Sequence, residues 1–306
     1  MPFDRKTLII ADETKFEEYT ILTSGDVIVG DRATVDFGIK TDERIFVGEH
    51  ANIKGSLESK GDIRIDVFSN IDGDVISKGN VYLGERVVIG GKLSVKGDLD
   101  VGDDVEIKEG FEAKGWINIR SPIPIVIYIF IYLLQLLKLG KSEEIEKILK
   151  ELEENEGVIP VTDIFTFVPN NAYIGIQNSK APTKLIIGEK CDVIGNFEAG
   201  DNIWIGKKSI IHGSLSSRTT ISIEDEVEIH GGISADGNVY IGENCKIHGN
   251  IEADKVFLPK SSVVDGTVIA RRGVTFNRIK KGLAEEKLSR FNAGVDVVDE
   301  VERMLE

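Results

Sequence analysis

A period of 18 residues runs through this chain. Val47, Ile65, Leu83 and Val101 stand 18 apart, and Ile53, Ile71, Ile89 and Ile107 follow six residues behind them at the same interval. Six further on lie smaller residues, Ser59, Ser77, Val95 and Ala113. The pattern returns after residue 180 as Ile187, Ile205, Ile223 and Ile241, with Ile211, Ile229 and Ile247, and with Ala199, Ser217, Ala235 and Ala253. Positions two places before the first set are apolar too: Ile45, Ile63, Val81, Leu99 in the first run, Leu185, Ile203, Ile221, Val239 in the second. Eighteen is three sixes, and each six holds two residues that point the same way followed by a turn. A fixed period of this kind excludes a flat sandwich and implies a stack of like units.

The expected fold is an all-β solenoid, a three-sided β-helix with 18-residue coils. A two- or three-residue strand cannot bury its inner face alone. Coils stacked about 4.8 Å apart let each Ile/Val column pack on itself while the backbone pairs with the coils above and below. Sharp corners favour residues that tolerate positive φ. Gly55, Gly73 and Gly91, then Gly195, Gly213, Gly231 and Gly249, stand in register, as do Lys60-Gly61-Asp62, Lys78-Gly79-Asn80 and Lys96-Gly97-Asp98. These glycines are read as the left-handed corner residues.

The two runs read as copies. Asp26-Val27-Ile28 leading to Phe37-Gly38-Ile39 parallels Asp163-Ile164-Phe165 leading to Ile174-Gly175-Ile176, with extra residues around Pro182. The expected organisation is an N-terminal tail (1–25), array 1 (26–121), a helical hairpin insert (122–161), array 2 (162–278) and a C-terminal helical tail (279–306).

The phrases Ile53-Lys54-Gly55-Ser56-Leu57, Ile211-His212-Gly213-Ser214-Leu215 and Ile247-His248-Gly249-Asn250-Ile251 resemble the coils of bactofilins, polymer-forming cytoskeletal proteins with a right-handed triangular β-helix. The resemblance covers both arrays. It implies a structural or scaffold protein that self-associates through its β-helix ends into homo-oligomers or polymers. Bactofilins carry one array with disordered tails, whereas this chain has two. The alternatives are a non-polymerising binding module with capped ends and, third, a hexapeptide-type acyltransferase. Those enzymes share the six-residue period, but a loop interrupts their coils at the acyl-CoA groove. Here the coils from 185 to 256 are unbroken, and Phe197 and Leu215 are large where that family places small residues. No enzyme activity, catalytic residue or cofactor is expected.

The insert holds the most apolar segment, Ile123 to Leu137, with one amide and no charge. It falls short of the roughly 20 residues that span a bilayer. Ile127, Tyr128, Phe130, Ile131 and Tyr132 are the candidate contact residues, either packed against Ile145, Ile148, Leu149 and Leu152 of a following amphipathic helix or lying in a membrane surface. Amphipathic spacing from Leu283 to Leu305 reads as short helices able to cap the last coil.

The chain carries 37 Lys and Arg against 52 Asp and Glu, a formal charge of −15, which repels phosphate backbones and argues against nucleic acid as a partner. Its beginning offers only a four-residue apolar patch, Leu8 to Ala11, so a cytoplasmic location is expected, with membrane association as the added option. Cys191 and Cys245 fall in one inward column three coils apart, about 14 Å, beyond disulfide reach, and read as core fillers. His212, His230 and His248 stand 18 apart beside inward isoleucines and form an outward ladder. The equivalent column of array 1 holds Lys54, Asp72, Gly90 and Lys108, so the fold does not need histidine there, and a solvated ladder without metal is expected.

Overall fold

The computed structural model describes residues 6–119, 162 and 164–276. These residues form a β-solenoid of about 12 turns. Its three faces are sheets of 14, 12 and 12 strands. Neighbouring coils pair parallel and in register, Ile63 with Ile45 and Val81, Ile71 with Ile53 and Ile89, Val75 with Leu57 and Leu93. The offset is the expected 18 residues, with a single shorter coil where Val239 pairs Val256. The helical hairpin insert, the C-terminal helical tail and the candidate contacts Ile127, Tyr128, Phe130, Ile131 and Tyr132 lie outside the described residues. Among the described residues no helix is long and apolar enough to cross a membrane.

Alternation along each short strand explains the core. Ile45, Ile53, Leu57, Ile63, Ile71 and Val75 are fully enclosed, and Ile211, Ile221 and Ile229 do the same in the second half. Each such side chain contributes about 1.5–3 kcal/mol by leaving water. Inward serines are small because they turn back to tie the corners. Ser77 Oγ donates to Gly61 O at 2.8 Å and accepts from Gly79 N–H at 3.0 Å, and Ser217 Oγ donates to Asp201 O at 2.7 Å.

The corner glycines have a different cause from the one expected. Of those in the two registers, only Gly195 has positive φ, +104°. The left-handed conformation is carried instead by side-chain-bearing residues one coil apart: Arg32, His50, Phe68, Arg86 and Asp104, then Lys190, Lys208, Glu226 and Asn244. Glycine stands in its own column because the next backbone leaves no room. A Cβ on Gly55 would sit 2.2 Å from Gly38 N, and one on Gly213 would sit 2.1 Å from Gly195 O.

The two arrays are joined in one rod, and they meet head to head. In the 14-stranded sheet the order runs outward from a central antiparallel pair, the strands Leu8–Ile10 and Phe165–Val168, with Ile9 opposite Phe167. Leu8–Ile10 lies parallel to Leu185–Ile187 of the second array, and Phe165–Val168 lies parallel to Asp26–Val29 of the first. Each array therefore takes its innermost strand from the other copy's stretch of chain. The other two sheets cross the seam as antiparallel hairpins, Lys15–Glu17 with Thr20–Thr23 and Tyr173–Ile174 with Asn178–Ala181. The stretch 1–25, expected as a tail, thus supplies three strands. Phe165 and Ile28, expected to be equivalent positions in two copies, instead lie on neighbouring stacked strands, where Phe165 pairs Asp26 and Ile28 pairs Phe167. Counting outward from the seam makes Val27 equivalent to Leu185, Ile45 to Ile203 and Ile53 to Ile211.

Aromatic packing fills the seam. Phe16 meets Phe37 at 5.1 Å and Phe197 at 6.5 Å between ring centroids, both edge-on, a favoured geometry. A half-buried ion pair joins two coils of the first array. Asp26 accepts from Arg44 at 2.6 Å and from Thr162 N–H at 2.8 Å. Burial alone would raise this carboxyl, but the hydrogen bonds from Arg44 and the backbone, with the guanidinium charge, outweigh it and hold Asp26 below the usual carboxylate range.

Candidate functional site

Head-to-head joining decides which surfaces remain open. Both outer ends are the C-terminal coils of their arrays, and each has, among the described residues, a neighbour on one side only. At the first end the last strands are Glu106–Ile107, Phe111–Ala113 and Ile117–Ile119. Phe111, Ile117 and Ile119, which continue the inward columns of Leu93, Leu99 and Val101, are left exposed there together with Trp116, 85% exposed. At the second end Val263, Ile269 and Phe276 are more than half exposed. Scattered surface apolars need no explanation, but aromatic and aliphatic groups gathered on an unpaired strand edge form the template surface that soluble β-proteins ordinarily protect.

Sequence reasoning overlooked Trp116, although a signal was present. Along one corner each Asx side chain receives the N–H of the equivalent residue on the next coil. Asn80 N–H donates to Asp62 at 2.7 Å, Asp98 N–H to Asn80 at 2.8 Å and Trp116 N–H to Asp98 at 2.8 Å. Tryptophan has no oxygen with which to continue the ladder. Its appearance in an Asp/Asn column marks the place where this corner ladder stops.

The histidine ladder is more tightly organised than a solvated column. His212 and His230 stand 4.7 Å apart, His230 and His248 5.3 Å, ring centre to ring centre. Carboxylates interleave with them. His212 Nε2 lies 2.9 Å from Asp192, and Glu228 Oε1 bridges His230 Nε2 at 3.3 Å and His248 Nε2 at 3.1 Å. On its other side His248 Nδ1 meets Asp265 at 2.7 Å. The hydrogen bonds that His248 donates to Glu228 and Asp265 hold its imidazole above its ordinary range, and the bond accepted from His248 holds Glu228 below its own.

Cys191 and Cys245 are buried, as expected, and both thiols are free. Each acts as a small inward donor, Cys191 Sγ to Ala11 O at 3.1 Å and Cys245 Sγ to Glu224 O at 2.9 Å, the part played by Ser209 Oγ toward Gly188 O. Burial pushes Cys191 up to about 12 and Cys245 to about 11, so neither supplies thiolate at neutral pH. Two shallow depressions flank the seam, one around Glu17, Lys40 and Glu58, the other around Tyr173, Lys180 and Glu198. Neither brings a histidine to a nucleophile. Phe197 and Leu215 point into the core, and the sheets pass without a break from Leu185 to Val256.

No family model matches the chain, and neither the curated proteins nor the solved structures give a match to it.

Proposed function

We propose that this protein is a structural element, a bactofilin-like scaffold that associates end to end with further copies of itself. The observation that carries this reading is the pair of solenoid ends that, among the described residues, are open, each with apolar side chains on a strand edge paired on one side only. Completing such an edge with another chain satisfies backbone groups and buries Phe111, Trp116 and Ile119 at one end or Ile269 and Phe276 at the other. The internal seam is the physical precedent, because there two coil stacks meet antiparallel in all three sheets. Among the described residues both ends are C-terminal coils, so the coil stacks on the two sides of any joint between copies run antiparallel, as they do at the seam.

Negative-stain electron microscopy of the purified chain over a range of concentrations tests the reading. The 14-stranded sheet corresponds to a rod of about 60 Å at the usual strand spacing. Rods at multiples of that length, growing with concentration, are expected. Single rods at every concentration would overturn the proposal. The variant Trp116→Asp with Ile119→Lys is expected to shorten the assemblies while leaving the rod itself intact, since both side chains are exposed in the single chain.

A further inference from the structure

We infer that Glu228, His230 and His248 form a binding site for a divalent transition-metal ion of the zinc type. The inference is independent of the end-to-end reading. Their ligand atoms all lie within 4.8 Å of one another. A tetrahedral ion that holds nitrogen and oxygen ligands at about 2.0–2.1 Å places them about 3.3 Å apart. Glu228 Oε1 already stands at 3.3 and 3.1 Å from the two Nε2 atoms, so two of the three edges have the required length. The third, within 4.8 Å, closes by rotation of the His230 ring, which is at the surface.

A second observation points the same way. His248 turns Nδ1 toward Asp265 at 2.7 Å and Nε2 toward Glu228. A ligating imidazole typically donates its far N–H to a carboxylate, which fixes the ring and raises its basicity. Asp265 sits one coil beyond His248, in the position that Lys108 occupies in the first array, and makes that contact here. The fourth coordination place faces solvent and is open to water. Two imidazoles and one carboxylate suit zinc better than magnesium or calcium, which take oxygen ligands.

The fold itself does not call for this arrangement. At the positions equivalent to Glu228, His230 and His248 the first array has Asn70, Asp72 and Gly90, and its coils stack with the same parallel register. Among the described residues the second array alone has such a ligand set. Lys246 follows Glu228 in the same outward column, and its charge acts on that carboxylate from the neighbouring coil alongside the imidazoles. Its charge opposes a bound cation, and its flexible stem lets the ammonium swing away into water.

Titration calorimetry of the full chain with zinc chloride alone tests the site. One ion per chain is expected, and either Glu228→Gln or His248→Gln is expected to weaken binding tenfold or more. His50→Gln, which changes the one histidine outside the ladder, should leave binding unchanged. Asp265→Asn should weaken it about tenfold through its hold on the ring. The melting curve without zinc should be the same for every variant, which separates loss of a ligand from loss of the fold. Affinity should fall as pH is lowered, because the ion displaces the proton on His248 Nε2. No binding by the wild type, or binding that survives both Glu228→Gln and His248→Gln, would overturn the inference.

Discussion

Replacing Gly213 with alanine is expected to destabilise the second array by about 3 kcal/mol, the upper part of the range for overpacking. The new methyl would lie 2.1 Å from Gly195 O, 2.5 Å from Gly195 C and 3.0 Å from Asn196 N, all of them backbone atoms that cannot rotate away. On the other side Gly231 N–H donates to Gly213 O at 3.0 Å, so parting the coils to admit the methyl strains a second ladder contact. Gly231 and Gly249 face the same obstruction, at 2.4 Å each. Gly110 supplies the contrast. It has φ +81° and nothing within 4 Å of its virtual Cβ, so it needs glycine for conformation and not for space. Gly110→Asn should therefore cost less than about 1 kcal/mol, because asparagine visits the left-handed region readily. Denaturant midpoints for the two variants decide the matter. Equal losses would mean that these glycines serve the turn and not the close approach of coils.

Phe197→Ala should cost about 3–5 kcal/mol, as removal of a buried aromatic ring does elsewhere. Phe197 is 2% exposed and lies one strand out from the seam, against Phe16 of the exchanged N-terminal segment. Phe16 in turn packs on Phe37 of the first array. A cavity here loosens the joint between arrays as well as one coil. Phe37→Ala should cost a similar amount, and the double variant should lose less than the sum, because both single changes weaken the grip on the same Phe16 ring. Equilibrium unfolding of the three variants measures this. Strict additivity would show that the rings do not act as a unit.

The coils were legible in the sequence because their registry is local and repetitive. Ile53, Ile71 and Ile89 must stack on one another, so the spacing of isoleucines records the pairing directly. The same logic placed Cys191 and Cys245 in the core and His212, His230 and His248 in one outward column. The seam left no such record. Leu8–Ile10 pairs with Leu185–Ile187 and Phe165–Val168, segments remote in sequence, and an antiparallel joint occurs once and so has no period. The eye then aligns Asp26-Val27-Ile28 with the nearest similar phrase, Asp163-Ile164-Phe165, although Phe165 stacks against Asp26 and the counterpart of Val27 is Leu185. The glycine columns were visible but their cause was not, since a residue too crowded for a side chain and a residue with positive φ look alike in sequence. The histidine cluster was half visible. The spacing gave the ladder, while the bridging by Glu228 and the support from Asp265 depend on which neighbouring columns turn their carboxylates toward it.

Hydrogen exchange read segment by segment tests the central claim, that two arrays are sealed into one rod by exchange of their first strands. Leu8 N–H donates to Lys184 O, Glu13 N–H to Glu189 O and Gly188 N–H to Ile10 O, each at 2.8 Å, and Ile10 and Phe16 are buried. Amides in 8–17 and 165–174 should therefore exchange as slowly as those of Ile63–Ile65 and Ile221–Ile223 in the middle of the arrays. Rapid exchange across 8–17, at the rate of a free chain end and beside well-protected coils, would contradict the account.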